Sequence, residues 1–181
     1  MTDKQIAYRI KEVFSTCSYI IVDTREKDNN IKNALERFGI KYRVKKLDYG
    51  DYGIEIDKNE ELGIKEDIKF HIAIERKASL DEIANNLTRG QKRFYNEMER
   101  CVNDNGFMII MIENNTYDDI VNENYTSKLS SKQFLGLLHG VTAKYEVPFV
   151  FISKDKAPLY IYDTLKYHAR EILKEYLKLI K

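Results

Sequence analysis

The segment "HIAIERKASLDEIANNL", from His71 to Leu87, passes from an apolar strand-like run into a helix through three consecutive charges, Glu75, Arg76 and Lys77. Residues two apart in a strand share a face, so Glu75 and Lys77 project together and Arg76 projects the other way. Further acids stand at the ends of other strand-like runs. Asp23 and Glu26 follow "SYIIVD", and Asp51 sits in the glycine-marked turn "DYGDYGIEI". Carboxylates at adjoining strand ends with a lysine beside them form the set that divalent-metal phosphodiester hydrolysis needs. Mg²⁺ takes hard oxygen ligands and keeps several waters. One or two such ions activate water and stabilise a leaving oxygen. A lysine alongside orients or deprotonates the water and offsets phosphate charge. Two carboxylates about 4 Å apart repel by roughly 4 kcal/mol at an effective dielectric of 20. Lys77 offsets part of this for several converging acids, and a cation supplies the remainder. Glu-x-Lys alone is a weak signal, equally an ion pair where a strand reaches the surface. Gly-Asp is common in turns. Their order, each at a strand end, carries the argument.

Those residues need a scaffold. Apolar positions Ile6, Ile10, Val13 and Phe14 predict a helix over 4–14. "SYIIVD" is a strand, "NNIKNALERFG" a helix stopped by Gly39, and "IKYRVKKL" a strand. "DKNEELGIKED" is a polar loop between paired strands, and "KFHIAIER" is the strand of the opening segment. Ser79 and Glu82 predict a capping box at the start of "SLDEIANNL"; Thr88 and Gln91 predict a similar cap for "TRGQKRFYNEMERCVND". "GFMIIMIEN" is continuously apolar, as expected of a central strand covered on both faces. "SSKQFLGLLHGVTAKY" is a helix and "VPFVFIS" the last strand. A helix over 156–181 is expected to turn Leu159, Tyr162, Leu165, Ile172, Leu173, Tyr176 and Leu177 inward. The alternation predicts an α/β fold, a central mixed β-sheet flanked by helices, in one domain over 1–181.

Composition narrows the chemistry. A hydrophobic share of 43% beside a charged share of 33% reads as a globular chain. No apolar run approaches the ~20 residues of a membrane span, and "MTDKQIAYRIKEVF" lacks the apolar core of a signal peptide, so the expected location is cytoplasmic. Cys17 and Cys101 have no metal or disulfide spacing, and His71, His139 and His168 are scattered. A net charge of +1 is not that of a general nucleic-acid binder, but a local basic face suffices for phosphates.

"IVDTRE", "YGDY" and "IERKASLDEIANNL" together resemble the XPF-type structure-specific endonuclease family, with its signature G-D…E-R-K-x-x-x-D at Gly50-Asp51, Glu75-Arg76-Lys77 and Asp81. "RFYNEMER" and "MIIMIEN" are similar to the helix and strand that follow in the family, so the resemblance spans about residues 18–155. It implies the restriction-endonuclease-like PD-(D/E)xK fold and cutting of branched DNA, such as flaps and junctions, with Mg²⁺ or Mn²⁺, a chemistry of repair and recombination. It implies Asp51 and Glu75 as metal ligands with the backbone carbonyl of Arg76 nearby, Lys77 as catalytic lysine, and Asp23 and Glu26 as further acids able to hold the same ion or a second one. Arg25 lies beside them, and Asp81 completes the signature. A homodimer through the nuclease domain is also implied. No helix-hairpin-helix signature surrounds Gly136 or Gly140, which resembles a short bacterial or phage form.

Arg89, Lys92 and Arg93 on the helix after the site are candidate phosphate contacts, as are Arg25 and Arg76; a solvated face is the plain alternative for the helix. Lys41, Arg43, Lys45 and Lys46 read as a charged edge strand or a DNA face. Tyr49 and Tyr52 flank Asp51 and are candidates for stacking on a base. Two other functions stay open: a junction resolvase or nickase of a mobile element, and a non-catalytic nuclease-like domain that binds DNA or a partner.

Overall fold

A computed structural model describes residues 1–179; Ile180 and Lys181, the end of the expected last helix, lie outside the described residues. The elements in order are α1 (Asp3–Thr16), β1 (Ser18–Val22), α2 (Asn29–Arg37), β2 (Tyr42–Val44), β3 (Tyr52–Ile56), β4 (Ile68–Lys69), β5 (Ile72–Lys77), α3 (Leu80–Leu87), α4 (Gln91–Asn103), β6 (Phe107–Glu113), α5 (Tyr117–Val121), α6 (Ser131–Tyr145), β7 (Phe149–Ile152) and α7 (Ala157–Leu179). The strands form one seven-stranded sheet in the order β2-β1-β3-β5-β6-β7, with β4 paired to β3 off that path. β3 is antiparallel to β1 and β5, whereas β5, β6 and β7 run parallel. Parallel neighbours need long crossovers, and α3–α4 and α5–α6 supply them. This is the mixed sheet between helices that the sequence predicts.

Side-chain parity sorts the two faces. Ile72, Ile74, Ile109 and Met111 face a core shared with α1, α2 and α7. Ala73, Met108, Ile110 and Ile112 face α3, α4, α5 and α6. β6 is therefore covered on both sides, which is why its run is unbroken. Each fully buried Ile or Met contributes about 1.5–3 kcal/mol, so this strand anchors the layer that carries Glu75 and Lys77.

Three local expectations are corrected. α4 begins at Gln91 with Gly90 as a cap that lends no side chain; the Thr88 hydroxyl instead donates to the Ala84 carbonyl at 2.7 Å and closes α3. The Ser79 hydroxyl does accept from the Glu82 N–H at 3.3 Å, but the Glu82 carboxylate reaches back to the Ala78 N–H rather than that of Ser79. In α7 the buried line is Ile161, Leu165, Ala169, Leu173 and Leu177, spaced by four, and Leu159 and Ile172 are exposed. Ala169 completes the stripe between Leu165 and Leu173.

Candidate active site

Gly50 sets the geometry. Its φ is +71°, a left-handed turn, and a Cβ placed there would stand 2.6 Å from the Ala73 Cβ. Only glycine lets the β2–β3 connection press against β5 at this point. The next residue, Asp51, donates its N–H to the Ile74 carbonyl at 2.9 Å, and its Oδ2 accepts the Arg76 N–H at 2.8 Å. Tyr52 pairs with Ile74, so Asp51 and Glu75 each lie one residue further toward the same end of the strand pair. Glu75 and Lys77 project to one face as parity requires, both buried, and the Lys77 ammonium donates to Glu75 Oε1. Lys77 Nζ is also 3.7 Å from Glu82 and lies over the Phe94 ring at 5.6 Å.

The electrostatics follow from crowding acids into a dry place. Burial, then the nearby Glu75 carboxylate, pushes the Asp51 carboxyl well above the usual range. Burial likewise raises Glu75 against the opposing pull of Lys77, and Glu97 adds to the rise. Lys77 is desolvated too, which favours its neutral form, yet Glu75, Glu82 and Asp51 together hold it protonated beyond its ordinary value. The cluster is short of positive charge.

Among the described residues no group of three or more His, Cys, Asp or Glu side chains is placed to hold a metal. Half-buried Asp51 and buried Glu75 both have raised pKa, and Mg²⁺ is held by one or two carboxylates with waters completing its shell. The pair fits such an ion.

The sequence pattern of the ERCC4 domain matches residues 22–162. The chain belongs to the ERCC4-domain family. The match begins and ends a few residues later than the span of 18–155 read from the sequence. No curated protein matches the chain. Among solved structures, XPF from Aeropyrum pernix is 20% identical with a TM-score of 0.60, over 83% of this chain and 61% of that one. XPF from Aeropyrum pernix in complex with DNA is 19% identical with a TM-score of 0.60, over 84% of this chain and 65% of that one. The chain thus spans less than two thirds of these solved chains, and the likeness is one of fold.

In this ERCC4 domain the remaining predicted residues divide by surroundings. Asp23 is fully buried and occupied: it accepts from the Arg25 N–H at 2.7 Å, Arg25 Nε at 2.6 Å and the Leu47 N–H at 2.6 Å. Burial works to raise its pKa, but these bonds outweigh it and hold the carboxyl below its ordinary value. Glu26 accepts from the Asp28 N–H at 2.7 Å and the Tyr52 hydroxyl at 3.1 Å. Both acids are thus engaged by other partners, and among the described residues no group of three or more acids that includes them is placed to hold a metal. Arg25 is half exposed, bound to Asp23 and 4.0 Å from Glu97. The Arg76 guanidinium is on the opposite face, paired with Glu113 at 2.7 Å and Asp28 at 2.7 Å and 3.6 Å from Glu26, so it does not face a substrate on the Lys77 side. Arg89, Lys92 and Arg93 are exposed around the start of α4, next to Phe94 under Lys77. Asp81 accepts the N–H groups of Thr126 and Ser127 at 2.9 and 2.8 Å and fixes that loop. Tyr49 and Tyr52 are buried, their hydroxyls donating to Asp104 and Glu26, so neither can stack on a base.

Two buried acids went unread in the sequence. Glu97 on α4 accepts the Gly50 N–H at 3.0 Å, holding the turn that carries Asp51. Its signal was a carboxylate on the buried stripe Phe94–Met98–Cys101. Glu113, the last residue of β6, is buried against Arg76.

Proposed function

We propose that the chain is a metal-dependent endodeoxyribonuclease that hydrolyses phosphodiester bonds in branched or flap DNA. The observation that supports this is the convergence of half-buried Asp51 with buried Glu75 and Lys77 at one end of the β3–β5 pair, in a chain of the ERCC4-domain family. A relative of the same fold solved with DNA supports DNA as the partner.

Asp51 and Glu75 would hold Mg²⁺ or Mn²⁺, close to the Arg76 carbonyl. Such an ion, when bound, supplies Lewis-acid charge at the phosphate and acidifies water. Lys77 Nζ, kept protonated by the acids around it, offsets phosphate charge and orients the attacking water by donating to it. The Arg76 N–H fixes the Asp51 carboxylate, and Glu97 fixes the Gly50 turn beneath it. Arg89, Lys92 and Arg93 contact phosphates and set the strand over the cluster. Arg25, half exposed, is a rim contact to phosphate. Asp23 and Glu26 act in support, through the Leu47 turn and the Arg76 network. The homodimer that the family resemblance implies would form through the outer helices of this domain.

Cleavage of labelled duplex, 3′-flap, fork and four-way junction DNA with Mg²⁺ or Mn²⁺ tests this reading. Cutting that EDTA stops, with flap or fork preferred, is the expected result. Preference for the four-way junction would make the chain a resolvase. No cutting of any DNA by folded protein would overturn the enzymatic reading.

A further inference from the structure

The face of the molecule that carries α1, α2 and α7 holds three clefts that share walls. The first, about 610 Å³, lies between α2 and the start of α7 and includes Arg37, Phe38 and Lys154. The second, about 390 Å³, shares Phe38 and adds Lys41, Leu159 and Tyr162. The third, about 370 Å³, shares Phe14 and Tyr162 with the second and runs between α1 and α7 past Lys11, Lys166 and Arg170. Of the charged residues lining the three, six are cationic and one, Asp155, is acidic, in a chain whose net charge is +1. Aromatic rings alternate with these cations, and Phe38 and Tyr167 are 56% and 53% exposed, where rings normally pack inward. Lys166 sits 5.0 Å from the Tyr162 ring and Arg170 5.5 Å from the Tyr167 ring.

Cations that follow a groove, with open rings between them, fit phosphates and unstacked bases. The groove also leads somewhere. Lys154 Nζ is 3.9 Å from Asp28, which accepts from Arg76 at 2.7 Å, and Arg76 is the residue between Glu75 and Lys77. One end therefore lies at the C-terminal ends of β5 and β7, directly behind the acid-lysine cluster on the other face of the sheet. We propose that this groove binds a single-stranded DNA arm leaving the cluster. From Pro158 to Arg170 it follows about 18 Å of α7. An acidic peptide could meet the same cations, but nothing in it requires a path that ends at the strand ends behind the cluster. The inference rests on DNA being the substrate.

The test is fluorescence anisotropy of a labelled oligothymidylate of about 12 nucleotides, in EDTA so that no cutting occurs. The double variant Lys166→Glu/Arg170→Glu is expected to weaken binding at least about tenfold and to flatten the dependence of log K on log salt by about 1.4, two phosphate contacts' worth. Tyr167→Ala is expected to weaken it about fivefold or more, and 5-iododeoxyuridine in the oligonucleotide is expected to cross-link to Tyr167. Parental affinity in both variants, with parental circular dichroism, overturns the proposal. So does binding of polyglutamate without binding of oligothymidylate. If no DNA is cut by the parent yet the groove variants lose oligothymidylate, the catalytic reading fails and the groove stands.

Discussion

Arg76 and Asp51 are joined through backbone and side chain in a way that links the two faces of the sheet. The Arg76 N–H donates to Asp51 Oδ2 at 2.8 Å, while the guanidinium of the same residue is buried on the far side against Glu113, Asp28 and Glu26. A charged network behind the sheet thus holds the strand position on which Asp51 rests.

Removing that guanidinium leaves Glu26 and the nearly inaccessible Glu113 without their cation, and Asp28 with Lys154 alone at 3.9 Å. Breaking a buried pair by removing one partner costs about 3–5 kcal/mol. Arg76→Met should lose stability of this order in urea unfolding. Arg76→Met/Glu113→Gln should lose less than the two single changes combined. Additive losses within about 0.5 kcal/mol would show that the residues act independently.

Asp51 and Asp23 should respond oppositely to pH. The raised Asp51 carboxyl binds its proton more tightly folded than unfolded, so its contribution to stability is fully present below about pH 4, the unfolded value, and is lost as pH rises through the folded one. Asp51→Asn should therefore unfold at higher urea than the parent at pH 7, and the gap should close on acidification. Asp23, held low, contributes above about pH 4 and loses that contribution as pH falls. Asp23→Asn should unfold at lower urea at pH 7. Equal shifts of the same sign would contradict the two environments.

Gly50→Ala combines a left-handed backbone with a Cβ at 2.6 Å from Ala73. The conformation alone costs about 1–2 kcal/mol, and relieving the contact moves Asp51. Lower stability by about 2 kcal/mol or more, with cleavage reduced beyond what unfolding explains, is expected. A variant as stable and active as the parent would mean that the turn does not position the acid.

Parity made much of the cluster legible. Once "HIAIERK" was read as a strand, Glu75 and Lys77 had to share a face and Arg76 had to leave it. The sequence shows that Asp23 and Glu26 are acids at a strand end, but not the partners that engage them: the Leu47 N–H from a turn 24 residues on, and the hydroxyl of Tyr52. Glu97 was hidden by its place in an amphipathic helix, where a carboxylate ordinarily faces water. Thr88 and Gln91 satisfied a local capping pattern, but the chain turned at Gly90 and spent the threonine on the preceding helix. Local propensity located most elements, though not α5 or the break between β4 and β5, whereas the state of each acid was decided by contacts distant in sequence.

The most direct test is single-turnover cleavage of a labelled 3′-flap by the parent and by Lys77→Met, each with saturating Mg²⁺ and with EDTA. Metal-dependent cutting by the parent, lost by at least about a hundredfold in a folded Lys77→Met, is the predicted result. Cutting by Lys77→Met at the parental rate would show that the chemistry lies elsewhere than at the Asp51–Glu75–Lys77 cluster.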